Sequence, residues 1–299
     1  MRLDQITVEV ISVLRANAIE SILLKGPTMA QWLYDHGERS YVDVDLLVPL
    51  EEYGRVGSVL TECGFVAPPE DLSLNRPRAS REWIRATDDT VVDAHLWLEG
   101  IGIQPANVWE ILAEGSEYMM VSGQQVAVLA PPARSLHVAL HAAQNGRSGT
   151  QALKDLERAI DKVAIETWRE AAELAITLDA LPAFTTGLSL DPRGPDLLRR
   201  LSIELVHSVD VAVISAAVPH QVRSTALGWE WLSSRSTVRG KAGYIFQKLF
   251  PPPTWMKARY PAGQRGGVGL MMSYPQRWLK LARHLIPGLV TWMRARSRI

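Results

Sequence analysis

The chain has 299 residues, 47% of them hydrophobic and 21% charged. That is enough to bury a core in one large or two smaller globular domains, and it excludes long disorder, collagen-like repeats and a membrane-spanning bundle. The formal net charge is zero, yet fourteen of the 32 basic residues and a single acid, Glu230, follow residue 220, so residues 1–220 carry −13 and residues 221–299 carry +13; such an asymmetry suggests contact with a nucleic acid or an anionic surface.

The first residues carry acids at Asp4 and Glu9 and lack the charged-then-apolar layout of a signal peptide. Ile6, Val10, Val13 and Leu14 recur at helical spacing. Ser21–Leu24 reads as a short strand ending at Lys25-Gly26-Pro27, and Thr28–Asp35 as a two-turn helix. Tyr41–Val48 alternates and is β-rich, which predicts a strand with Asp43 and Asp45 on one face. A helix is expected over Glu51–Cys63. The lone cysteine within it, Cys63, cannot form an internal disulfide, so a cytoplasmic location is the default expectation. Two hairpins follow, Trp83–Ala86 with Thr90–Trp97 around Asp88-Asp89, and Tyr118–Val121 with Gln125–Leu129 around Gly123.

From Pro131 the pattern turns helical, with helices expected over Ser135–Ala143, Gln151–Val163, Thr167–Ala175 and Asp196–Ala217. Pro251-Pro252-Pro253 marks a stiff break, Pro261–Gly269 reads as a Gly-rich loop, and Gln276–Arg296 as a basic helix with Trp278, Ala282, Leu285, Leu289 and Trp292 at helical spacing. No apolar run approaches the ~20 residues of a transmembrane helix. The organisation expected is a mixed α/β domain over residues 1–130, a helical domain over 131–250 and a basic tail over 251–299.

Chemistry concentrates in Leu24-Lys25-Gly26-Pro27-Thr28, Arg39, Val42-Asp43-Val44-Asp45-Leu46 and Val91-Val92-Asp93-Ala94-His95. Carboxylates two apart on a strand lie roughly 6–7 Å apart at their backbones and can share a divalent ion. Asp93 is expected on an adjacent strand. Three acids converging near a glycine turn that opens a helix make a Mg²⁺ and phosphate site, since hard oxygens hold the metal and backbone N–H groups receive phosphate oxygens. Lys25 is placed to contact phosphate. Arg39 either orients Asp43 or the substrate, or pairs with an acid such as Glu38. His95 points to the same strand face as Asp93 and is a candidate substrate contact. His137 and His141 have the i,i+4 spacing of a zinc pair but lack a third ligand of suitable spacing, so they read as structural.

This block resembles the nucleotidyltransferase superfamily that shares a palm-like fold with DNA polymerase β. More narrowly, Leu-Lys-Gly-Pro-Thr-Met-Ala, Arg-Ser-Tyr-Val-Asp-Val-Asp and Val-Asp-Ala-His-Leu-Trp are similar to the bacterial uncharacterised nucleotidyltransferases, with a further similarity to nucleotidyltransferase toxins of abortive-infection systems. The similarity extends weakly to Leu140-His141-Ala142-Ala143, Leu153-Lys154-Asp155-Leu156 and the stretch from Leu249 to Pro261.

The resemblance implies an α+β fold, a palm-like mixed sheet with helices followed by an α-helical C-terminal domain. It implies catalysis by Asp43, Asp45 and Asp93 as ligands of Mg²⁺ or Mn²⁺. Lys25, Gly26, Thr28 and Arg39 would bind a nucleoside triphosphate, and His95, Lys154 and Asp155 would contact acceptor or nucleotide. One departure is Gly26-Pro27 where the family has Gly-Ser or Gly-Gly: the serine hydroxyl is missing and Pro27 offers no N–H, leaving Thr28 or Lys25 to supply the contact.

The expected function is transfer of a nucleoside monophosphate to a small molecule or peptide with release of pyrophosphate. The alternatives are a tRNA-modifying toxin and a non-catalytic nucleotide-binding protein. For the basic tail three roles stand side by side: packing against the acidic body, lying on an anionic membrane surface, or holding tRNA phosphates.

Overall fold

The computed structural model describes residues 2–67, 79–214, 216, 220–233, 235 and 237–297. Helix α1 (Arg2–Ala16) precedes strand β1 (Ile22–Leu23), helix α2 (Pro27–Leu33), strand β2 (Asp43–Leu47) and helix α3 (Tyr53–Glu62). A hairpin of β3 (Ser80–Arg85) and β4 (Thr90–His95) follows, then α4 (Pro105–Glu114) and a second hairpin, β5 (Glu117–Val121) and β6 (Gln124–Val128). Helices α5 (Pro131–Asn145), α6 (Thr150–Lys162), α7 (Ile165–Thr177), α8 (Leu181–Leu188) and α9 (Gly194–Arg200) come next. The chain continues with α10 (Val209–Ile214), α11 (His220–Ser233), α12 (Val238–Leu249), α13 (Pro253–Arg259) and α14 (Gly266–Arg296). Among the described residues, one compact unit takes in 2–67 and 79–206, and the other runs from His207.

The first unit is built on a six-stranded sheet in the order β3-β4-β2-β1-β6-β5. Both expected hairpins form antiparallel pairs; the second turns through Ser122 and Gly123, both at positive φ, as a two-residue hairpin loop requires. The centre of the sheet is mixed. β2 runs parallel to β4, with Asp45 opposite Asp93, and antiparallel to β1, while Leu23 of β1 pairs in parallel with Val128 of β6. A central position explains a departure from simple alternation: β2 is buried on both faces from Val44 to Leu47, as strands covered on both sides are. α1 lies against β2, β5 and β6 and buries Ile6, Val10, Ile11 and Leu14. α5 is the hub of the helical layer and packs against α6, α7 and α8, with Trp168 and Phe184 fully buried nearby.

Two stretches differ from the sequence expectation. The helix expected over 196–217 ends at α9, because Ser202 takes a left-handed conformation (φ 59°) and closes a Schellman motif. In it the Ile203 N–H donates to the Leu198 carbonyl and the Ser202 N–H to that of Arg199, both at 3.0 Å. The chain then runs without helix to α10; residues 215 and 217 of the expected helix lie outside the described residues. The stretch expected as a Gly-rich loop is a 3-10 turn (Pro261–Gln264) followed by the start of α14. Gly269 serves close packing there, since a Cβ would stand 2.1 Å from the Ala262 carbonyl oxygen.

Among the described residues, the second unit shows two small cores. Val213, Ala226 and Ala295 form one, with Trp292 against it; Trp255, Met256 and Tyr260 form the other. α14 packs along α11 and continues through Pro275 and Pro287.

Candidate active site

The site forms where β1 ends. The Leu24 N–H donates to the Asp45 carbonyl at 3.0 Å, which sets Lys25 beside the middle of β2. Gly26 then turns the chain into α2 at φ 66° and ψ −118°, on the side of the backbone map that favours glycine. Its missing Cβ would lie 3.4 Å from the Tyr41 ring, a contact that is tolerable, so the conformation and not the space selects glycine. Gly26→Ala is therefore expected to cost about 1–3 kcal/mol, read as a lower urea midpoint at unchanged m-value.

Asp45 is the centre of the cluster. It is 1% exposed, and the Lys25 ammonium lies 2.7 Å from its Oδ1 and His95 Nε2 3.1 Å. His95 Nε2 also lies 3.1 Å from Asp93 Oδ2, which accepts in addition from the Ser80 hydroxyl at 3.1 Å. Asp45 Oδ2 and Asp93 Oδ1 are both buried without a hydrogen-bond partner. An orphaned buried carboxylate oxygen is costly, and two of them, from neighbouring strands, suit a positive ligand. The parallel register places Asp45 and Asp93 side by side, and the half-buried Asp43 lies two residues away along the same strand face.

Charge coupling within the cluster is strong. Burial opposes ionisation of Asp45, but Lys25 and His95 outweigh it and hold the carboxyl below the usual range. Burial likewise works against the Lys25 and His95 charges and is outweighed, for Lys25 by Asp45 with help from Asp43 and Asp93, and for His95 by Asp45 and Asp93, which lift it to about 9. Asp43 is raised by burial and by the Asp45 charge. Asp45, Asp93 and His95 present ligand atoms all within 4.8 Å of one another. The donor set, carboxylate oxygens with two uncommitted, fits a hard divalent ion such as Mg²⁺ or Mn²⁺. His137 and His141 do not enter such a group among the described residues. Their rings lie 6.2 Å apart, and burial holds both below the ordinary imidazole range, His141 at about 4.

Beside the cluster sits a second constellation. Asp155 on α6 is 2% exposed and accepts from Arg39 Nε at 2.9 Å and Nη2 at 2.8 Å, from the Tyr34 hydroxyl at 2.6 Å and from Gln151 Nε2 at 2.9 Å. Arg39 Nη1 reaches the Gly26 carbonyl at 3.4 Å. This clamp ties the glycine turn to α6 and engages both Asp155 oxygens.

The structure thus gathers Lys25, Asp43, Asp45, Asp93 and His95 in one place, and Arg39, Asp155 and the Gly26 carbonyl in another beside it. Thr28 is fully buried and its hydroxyl donates to the Leu23 carbonyl at 3.3 Å, which turns it to the core. Lys154 is exposed. Ser80, Tyr34 and Gln151 join these groups without standing out in the sequence; only Gln151 carries a signal there, its i,i+4 spacing to Asp155 on α6.

A family model described as uncharacterised nucleotidyltransferase matches residues 1–191. No curated protein matches the chain. Among solved structures, the antibiotic-resistance factor ANT(2'')-Ia shares 13% identity at a TM-score of 0.45, over 60% of this chain and 95% of that one. The lincomycin-bound lincosamide antibiotic adenylyltransferase LnuA shares 12% at 0.36, over 55% and 98%. An antigenic nucleotidyltransferase-like protein from Paracoccidioides brasiliensis shares 15% at 0.38, over 68% and 93%.

Proposed function

The chain belongs to the uncharacterised nucleotidyltransferase family, and from that premise we propose that it moves a nucleoside monophosphate from a nucleoside triphosphate to a hydroxyl or phosphate of a small molecule or peptide, with Mg²⁺ or Mn²⁺ held by Asp43, Asp45 and Asp93. The observation that carries this reading is the pairing of Asp45 with Asp93 on parallel strands, each keeping one buried oxygen uncommitted.

In the transfer, an acceptor oxygen forms a bond to the α-phosphorus while the bond from that phosphorus to the bridging oxygen breaks, and pyrophosphate leaves in line. A divalent ion, when bound, supplies charge stabilisation to the phosphoryl oxygens. The chain's own residues position. Asp45 is fixed by Lys25 and His95, and Asp93 by Ser80 and His95, so both carboxylates stay oriented before substrate arrives. The Lys25 side chain is about one-fifth exposed with its ammonium on Asp45, and in this reading the ammonium also meets a triphosphate oxygen, a role that compensates for the proline after Gly26. Asp93, one-fifth exposed, completes the ion site or takes the proton of the attacking hydroxyl. Arg39 and Asp155 act on the glycine turn and not on substrate.

A small acceptor is favoured because residues 1–220 carry −13 and would repel RNA. The test is incubation with each labelled triphosphate, Mg²⁺ and cell extract, comparing wild type with Asp43→Ala/Asp45→Ala. Label is expected in the small-molecule or peptide fraction, with pyrophosphate, from the wild type alone. Equal labelling by both proteins would overturn the site, label on tRNA would overturn the acceptor class, and triphosphate binding without pyrophosphate release would overturn catalysis.

A further inference from the structure

Helix α14 has two different faces. Its inward face carries the buried Ser273, Arg277, Gly288 and Ala295. Arg277 is fixed there, donating to the Lys248 carbonyl at 3.0 and 2.9 Å and stacking over the Trp255 ring at 4.4 Å. Trp292, on the same side, packs against the small core formed with α10 and α11 and donates to Glu230. These contacts set which face of the helix turns inward.

That other side is apolar. Met272, Leu279, Ile286 and Met293 recur every seven residues and are 57–73% exposed. A seven-residue step drifts only about 20° around a helix, so the four side chains form one continuous stripe along most of α14. Beside the stripe stand the exposed Arg283 and Arg294, while the Lys280 ammonium lies over the Tyr260 ring at 5.1 Å, and no acidic residue occurs anywhere after Glu230. The stripe is a different set of residues from the tryptophan-bearing face that the sequence spacing picks out. No helix among the described residues is long and apolar enough to cross a membrane.

We propose that the outward face of α14 is a docking surface for an anionic lipid bilayer, lying flat with Met272, Leu279, Ile286 and Met293 in the acyl boundary and the flanking cations on lipid phosphates. An apolar stripe rimmed by cations is the composition that binds in the plane of an interface. The alternatives fit less well. A second copy placed stripe to stripe would set Arg283 and Arg294 against identical cations with no acid to pair, whereas paired helices use opposite charges at those flanks. RNA would use the cations and leave the apolar stripe in water.

The test is co-sedimentation of the full chain with vesicles of phosphatidylcholine alone or mixed with phosphatidylglycerol. The protein is expected to pellet with the mixed vesicles only, and less as salt is raised. Leu279→Asp/Ile286→Asp and, separately, Arg283→Glu/Arg294→Glu should each weaken partitioning by about tenfold or more; all four positions are exposed, and an unchanged thermal melt confirms the fold. Wild type left in the supernatant with mixed vesicles overturns the proposal, as does pelleting of both variants like wild type. A wild-type dimer abolished by Leu279→Asp/Ile286→Asp, without vesicle binding, would reassign the stripe to a copy interface. RNA binding without vesicle binding would reassign the cations.

Discussion

Asp155→Ala is expected to lower the unfolding free energy by about 3–5 kcal/mol, the range seen when one partner of a buried ion pair is removed. The carboxylate takes two hydrogen bonds from Arg39, one from Tyr34 and one from Gln151, and its removal leaves the 9% exposed Arg39 as an uncompensated buried charge. The acid limb of stability gives an independent signature. Burial opposes the Asp155 charge, but Arg39 outweighs it and holds the carboxyl below its ordinary range. With a depressed folded value, the contribution is fully present above the unfolded value near ~3.9 and is lost as pH falls through the folded value, because the unfolded chain takes up the proton first. Denaturant titrations of wild type should therefore lose stability below about pH 4, and the same titrations of Asp155→Asn should be flatter there. An equal acid slope in both proteins would remove Asp155 from this role.

Asp45→Asn should reduce the turnover number by about 10³-fold, comparable to the loss of a principal electrostatic group in other active sites. Asparagine keeps the volume, but an amide replaces a carboxylate both where Oδ2 lies uncommitted and where Oδ1 meets Lys25 and His95. The effect belongs mainly to kcat. The two variants are read differently: Asp45→Asn in the turnover of the folded protein, Asp155→Ala in its unfolding free energy. Single-turnover pyrophosphate release at saturating triphosphate, beside a denaturant titration of each variant, checks both statements; a wild-type rate from Asp45→Asn would place the chemistry elsewhere.

Part of this site is legible in local sequence pattern. Asp43 and Asp45 share a face because strand side chains alternate, and Asp93 falls on a neighbouring strand because Thr90–Trp97 carries the same β-rich pattern. What local pattern does not supply is burial. Tyr41–Val48 looks like a half-solvated strand, and only the assembled sheet, with β2 flanked by β1 and β4, shows Asp45 to be almost fully enclosed. The bond from Arg39 to Asp155 spans 116 positions, far outside any periodic window. Ser202 hides the end of α9 because a serine gives little sign of a left-handed conformation. The glycines near residue 266 hide the start of α14 because small residues mark close packing as readily as loops.

The two-residue strand β1 has a consequence for synthesis. It lies between β2 and β6, and Leu23 meets Val128 across more than a hundred positions of chain. A growing chain can pair β1 with β2 soon after residue 47 appears, yet the far edge of β1 stays open until residue 128 has been made, and Arg39 has no Asp155 until later still. Non-local pairings of this kind form slowly and leave strand edges exposed while they wait. The carboxylate cluster, whose residues all lie in the first third of the protein, thus rests on an unfinished sheet until residue 128 has been made, and its neighbouring clamp waits for residue 155.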